Sequence, residues 1–176
     1  MVDDAPEMAR THVQAWRESY REIFASSVLE GLSVNARTSA WQSSLANPDV
    51  AAWIVVIGSR VVGFASLQPA EGDEDPSTTA ELAAMYVLRS HWGQGLGRRL
   101  MDNFVAELLP RGFRQAVLWV LRDNFRARRF YQIAGWWADG GSKDHFGGHH
   151  AMAVRYRFKP EMLKVVRAIP SDGGGG

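Results

Sequence analysis

Three glycines at alternate positions, Gly93, Gly95 and Gly97, sit inside "SHWGQGLGRRL". The run before them, "AELAAMYVL", reads as a strand, and after them Leu96, Leu100, Phe104 and Leu108 recur every four residues. That spacing predicts a helix from about Gly95 to Leu109, stopped by Pro110. A strand that passes through glycines directly into a helix constrains this chain more than any other feature. The first N–H groups of the helix are left without partners and face whatever lies beyond the strand end. Glycine carries no Cβ, so a diphosphate can approach those amides, and Arg98 and Arg99 add positive charge beside them. The plain alternative is a tight strand-to-helix connection that binds nothing.

Two familiar phosphate loops fit poorly. A Walker loop needs GxxxxGK[ST], and neither lysine nor hydroxyl follows Gly97. A dinucleotide fingerprint needs G-x-G-x-x-G, whereas Gly93 to Gly97 is G-x-G-x-G. Charge favours a compact anion. Between Arg89 and Arg129 stand nine arginines against Asp102, Glu107 and Asp123, although the whole chain carries only +1. A solvated arginine-rich face would give the same count. The overall balance gives no reason to expect nucleic acid as a partner.

The rest of the chain reads as one mixed α/β domain over residues 1–160, with a C-terminal tail, 161–176, that is partly disordered around a short helix at Glu161–Arg167. Met8, His12, Val13, Trp16, Tyr20 and Phe24 predict a helix over 4–24, and a second helix runs from about Ser33 to Leu45. Two β-branched runs meet at Gly58-Ser59 as a hairpin. "AEGDEDPSTT" is an exposed acidic loop, and "QAVLWVL" is a buried strand. "NFRARRFYQIA" is a short helix that Asn124 can cap. "WWAD" is a short strand, "GGSKDHFGG" a flexible loop and "HHAMAVRYRF" a last strand. The absence of cysteine rules out disulfides, thiolate metal sites and a cysteinyl intermediate. With no signal-peptide pattern and no apolar run of membrane-spanning length, it points to a cytoplasmic protein that does not engage a membrane. "HFGGHH", with Lys143 nearby, lacks metal-ligand spacing, so no metal is expected.

The string "ELAAMYVLRSHWGQGLGRRLMDNF", followed by "DNFRARRFYQIAGW", resembles the GNAT family of N-acetyltransferases. That family shows [R/Q]-x-x-G-x-[G/A] after a strand, then a further strand and N-x-x-A-x-x-[FL]-Y-x-x-x-G-[FW]. Trp92 stands where arginine or glutamine is usual, while Gln94, Gly95, Leu96 and Gly97 match. Asn124, Ala127, Phe130, Tyr131, Gly135 and Trp136 match the second block in register. "THVQAWRESYREIF" is similar to the family's first helix, and the strand that usually precedes it is absent or very short. The likeness covers about residues 10–157.

The resemblance implies a central, mostly antiparallel sheet flanked by about four helices. The sheet would be splayed where the strand of Met85–Val87 leaves the strand of Val117–Leu121. It implies acetyl-CoA as donor and an amine as acceptor, by direct attack in a ternary complex. The diphosphate would lie on the turn from Trp92 and Gly93 through Gln94, Gly95, Leu96 and Gly97 to Arg98 and Arg99. Pantetheine would pair with Met85 and Val87, whose N–H groups can also polarise the thioester carbonyl. Asn124 would meet the pantetheine arm, and Arg128 or Arg126 the adenosine phosphate. Tyr131 would stabilise or protonate the departing thiolate, a modestly uphill transfer given reference pKa values of about 10 and about 8.5. Glu81 would take the amine's proton. It reads equally as a solvated strand-end carboxylate. The His145–His150 loop, Trp16, Tyr20 and Trp53 are candidates to line the acceptor side, and the acidic loop at Glu71–Asp75 to attract a cation. A catalytically idle acyl-CoA sensor on the same fold is the alternative function. The identity of the amine and a homodimeric state stay open.

Overall fold

The structure, a computed structural model, describes residues 2–161. A 3-10 turn at Val2–Asp4 leads into α1 (Ala5–Ser19), α2 (Ser26–Glu30) and α3 (Val34–Ala46). Strands β1 (Ala51–Ile57), β2 (Arg60–Pro69) and β3 (Thr79–Val87) follow, then α4 (Leu96–Leu108), β4 (Gln115–Leu121), α5 (Phe125–Ile133), β5 (Trp137–Lys143) and β6 (Ala153–Phe158). They form a six-stranded sheet in the order β1-β2-β3-β4-β6-β5. All pairs are antiparallel except β3 with β4. The tail helix expected from Glu161 to Arg167 and the disorder expected at the final glycines lie outside the described residues.

Sequence periodicity explains the two layers that sandwich the sheet. The apolar stripe of α4, with Leu100, Met101, Phe104 and Leu108, meets Ala65, Leu67, Leu82 and Leu118 on one face. On the other face Met8 and Ala9 of α1 close over Phe64, with Trp41 and Leu45 of α3. Burying such side chains contributes roughly 1.5–3 kcal/mol each, the main driving force for the layered arrangement. The sheet hairpin turns at Gly58, with φ 62°, as the sequence predicts.

Two elements differ from expectation. The apolar spacing continues to Phe24, yet α1 stops at Ser19. Tyr20 and Phe24 are still buried, in the turn that follows, and the short α2 adds a further helix after it. β5 is longer than "WWAD" and takes in Gly140 to Lys143. A register irregularity between Ala138 and Ser142 lets an edge strand absorb the glycines.

One buried polar group ties α1 to the core. His12 Nδ1 accepts from Trp41 Nε1 at 3.2 Å, and the ring stacks on Tyr86 at 4.8 Å between centroids. Burial, helped by the Arg37 cation, lowers the His12 pKa from 6.5 to about 3. Unfolded chains therefore bind a proton here at pH values where the folded protein does not. Stability from neutral His12 is complete above pH 6.5 and falls by ~1.4 kcal/mol per pH unit as acidity increases toward pH 3. Urea unfolding of the wild type and of His12→Asn, compared at pH 6.5 and pH 5, should show their stability difference changing with that slope. Parallel pH profiles would contradict it.

Candidate active site

β3 and β4 pair at only three positions, Thr79 with Gln115, Ala80 with Ala116 and Glu81 with Val117. Beyond Glu81 the strands diverge, although β3 continues to Val87 and β4 to Leu121. A cleft of about 440 Å3 fills the gap, lined by backbone and side chains of β3, the glycine turn, Trp119 of β4 and the start of α5. Leu88 N–H bonds Val62 O on the β2 side. Strand alternation then turns the N–H and C=O of Val87 the other way, into the gap. There Val87 O accepts from Trp92 Nε1 at 2.7 Å, so the N–H of Val87 and the backbone of Met85 are what the open edge offers.

The glycine turn lies at the mouth of this cleft. Gly95 caps α4 in the left-handed region at φ 77°, and Gly93 has the same φ. A Cβ at either position would meet nothing within 4 Å. Their glycine character thus answers to the backbone conformation and leaves open space above it. Among the described residues, the N–H groups of Gly93 to Arg98 find no acceptor. This arrangement fits a diphosphate. Arg98 bonds Asp102 at 2.9 Å on the exposed face of α4, and Gln94 reaches Ser90 O at 3.5 Å.

Of the residues named from the sequence, Met85, Val87, Trp92, Gly93, Gly95, Leu96, Gly97, Arg98, Asn124 and Tyr131 line the cleft. Gln94, Arg99, Arg128 and Glu81 stand outside that lining. Arg128 is committed elsewhere, donating to Tyr156 Oη at 3.2 Å and to Arg122 O at 2.8 Å. Of the two arginines expected at the adenosine phosphate, Arg126 is the one that reaches the cleft. Its guanidinium lies over the Trp92 ring, 3.1 Å from the centroid. Trp92 stands in the family's Arg/Gln position, and its stacking with Arg126 joins two segments that no local spacing links.

Asn124 caps α5, its Oδ1 accepting from Ala127 N–H at 3.1 Å, which leaves its amide nitrogen free of that bond. Tyr20 faces the Asn124 side chain and the hydroxyls of Tyr86 and Tyr131. Tyr86 Oη in turn accepts from Trp16 Nε1 at 2.9 Å and lies 3.5 Å from Tyr20 Oη. Burial raises the pKa of all three phenols, so each holds its proton. Tyr86 is a functional candidate that the sequence did not single out, because it alternates away from Met85 and Val87.

Glu81 sits on the last rung of the β3–β4 pairing, where the cleft begins. Burial raises its pKa, opposed by Lys143 and reinforced by Glu71. The acidic loop does not present all its charge to solvent. Glu74 bonds Arg157 at 2.6 Å and Arg155 at 2.8 Å, and both arginines also pair with Asp139. Hydrogen bonding from Arg157 holds the Glu74 pKa down. Asp75 is occupied in its own turn with Ser77 and Thr78.

The His145–His150 loop folds against α1. Phe146 and His149 pack on Trp16, and Gly147 lies so close that a Cβ there would clash with the indole. Trp16 is thereby core, Trp53 packs against the main core, and Tyr20 alone of the three aromatic candidates lines the cleft. Among the described residues no group of three or more His, Cys, Asp or Glu is placed to hold a metal, and no helix is long and apolar enough to cross a membrane.

Residues 13–136 match the acetyltransferase (GNAT) family. The uncharacterized N-acetyltransferase YuaI of Bacillus subtilis (strain 168) is 34% identical over 124 residues, which is 70% of this chain and 69% of that protein. PaiA N-acetyltransferase from Thermoplasma acidophilum, solved in complex with coenzyme A, superposes with a TM-score of 0.70 at 18% identity, covering 90% of this chain and 94% of that one. YncA from Salmonella typhimurium, solved with acetyl-CoA, gives a TM-score of 0.68 at 16% identity, covering 91% and 90%. These structures share the fold. The sequence match runs across both the glycine turn and the Asn124–Trp136 block, and the chain belongs to the acetyltransferase (GNAT) family.

Proposed function

We propose that the protein transfers an acetyl group from acetyl-CoA to a primary amine, by direct attack within a ternary complex. The observation that carries this reading is the three-rung limit on β3–β4 pairing, with the unpartnered amides of the glycine turn at the mouth of the gap it opens. Acetyl-CoA supplies the activated acyl group as a thioester. The amides from Gly93 to Arg98 hold its diphosphate, with Arg98, Arg99 and Arg126 adding charge. Pantetheine extends along the free edge of β3 as an added strand, and the N–H of Val87 or Met85 polarises the thioester carbonyl.

Glu81 takes the proton that a lysine-type amine, of pKa about 10.4, must lose before attack. Its raised pKa makes it a better base than a solvated carboxylate. Tyr131 keeps its proton and donates a hydrogen bond to the departing sulfur. The absence of cysteine fits a route without a cysteinyl intermediate, and a cytoplasmic place of work accords with it. An idle sensor needs neither a carboxylate of raised pKa at the vertex nor a phenol in the cleft, and so has less support.

Thiol release from acetyl-CoA, measured against a panel of primary amines, tests the reading. Amine-dependent release with intersecting initial-velocity patterns is expected. Binding without release would favour the sensor. Glu81→Gln should lower kcat by about 100-fold and remove the acidic limb of the kcat/KM profile, a limb that lies above the ordinary carboxylate range. Tyr131→Phe should lower kcat by roughly 10- to 100-fold while leaving acetyl-CoA affinity intact. Gly95→Val forces a side chain into a left-handed position costing about 1–2 kcal/mol and projects it over the turn. It should raise KM for acetyl-CoA about tenfold or more with little change in KM for the amine. Equal effects on both would contradict the assignment of the turn.

A further inference from the structure

We propose that Lys143 is an internal acetyl acceptor, modified by the protein's own transfer reaction. The proposal rests on the acetyl-CoA reading above.

Seventeen arginines accompany only three lysines, Lys143, Lys159 and Lys164. A guanidinium stays protonated and is no acyl acceptor at neutral pH, so the side-chain amines of this chain are those three. Lys143 stands apart by position. It closes β5 opposite Ala153 of β6, and Ala153 pairs with Leu121 at the end of β4. Lys143 is thus level with the open end of the gap, two strands beyond β4, and its side chain reaches back toward it. Its Nζ lies 4.2 Å from the centroid of the Trp119 ring, and Trp119 lines the cleft.

The strand irregularity between Ala138 and Ser142 helps to aim this side chain. Gly141 lies against Arg155 so closely that a Cβ would fall 2.8 Å from Nε, which fixes the bulge just before Lys143. Arg155 also approaches Trp119, at 5.7 Å, but is held by Glu74 and Asp139. Lys143 makes no ion pair among the described residues. The carboxylates it senses are Glu81, the base of the proposed reaction, and Glu71. Burial lowers its pKa, opposed by Glu81 and Glu71. Lys159 follows the other end of β6, where Phe158 pairs with Ala116, at the opposite end of β4 from Leu121.

The chemistry balances without another reactant. The Lys143 ammonium gives one proton to Glu81, and the freed lone pair adds to the acetyl carbonyl carbon. As the new C–N bond forms and the C–S bond breaks, the second nitrogen proton passes to the departing thiolate. The products are an acetyl-lysine amide and CoA thiol, with Glu81 returning its proton to solvent. Acetylation removes the cation that opposes the rise in the Glu81 pKa, and puts a neutral amide over Trp119.

The full chain, incubated with acetyl-CoA and no added amine, should be followed by intact mass and peptide mapping. One acetyl group is expected on Lys143, formed at least about tenfold faster than on Lys159, at a rate independent of protein concentration. Glu81→Gln should slow it, and Lys143→Arg should leave the protein unmodified. Equal labelling of Lys143 and Lys159, a rate that falls on dilution, or no labelling while added amines are acetylated would each overturn the proposal and leave the main function standing. Failure of both self-labelling and amine-dependent thiol release would overturn both.

Discussion

The separation of β3 from β4 after Glu81 and Val117 is the constraint on which the rest of the site depends. Inside a sheet, strand groups left unpaired cost stability unless something else satisfies them. Here the unpaired edge is kept at the surface of a cleft, where a ligand with amide groups can complete it. Trp92 satisfies one carbonyl, that of Val87, and so fixes the turn against the strand end. Glu18 adds a second tie, its carboxylate accepting the Arg89 N–H at 2.8 Å and linking α1 to the same turn.

Around this opening the charges are segregated. Cations gather at the glycine turn, where Arg98, Arg99 and Arg126 meet unpaired amides and the positive end of α4. On the other side of the sheet opening the carboxylates and cations largely cancel. Glu74 and Asp139 hold Arg155 and Arg157, leaving Glu81 and Glu71 as the carboxylates that act on Lys143, whose Nζ lies over Trp119. One end thus suits a polyanion and the other can handle a proton, a division that acyl transfer from a phosphorylated carrier requires.

Much of this was legible in the chain. The glycine turn, the α4 stripe and the Asn124 cap are local features, set by backbone conformation, a four-residue period and a side chain reaching its own helix. The Gly58 hairpin was equally plain. What escaped depends on distant contacts. α1 ends at Ser19, and the Tyr20 side chain meets Tyr86 and Asn124, partners no spacing announces. β5 hides in a glycine-rich run because its extension rests on pairing with β6 and on Arg155 filling the space beside Gly141. Arg126 could not be distinguished from Arg128 by position alone; the structure separates them through Trp92 on one side and Tyr156 on the other.

The most direct test of the central claim is a melting comparison of the protein alone and with acetyl-CoA, CoA, ATP or NAD at equal concentrations. A ligand at about 100 times its Kd adds ~2.7 kcal/mol, enough to move Tm by a few degrees. The account predicts selective stabilisation by acetyl-CoA and CoA. Equal or greater stabilisation by ATP or NAD, or no shift with either CoA species, would contradict it.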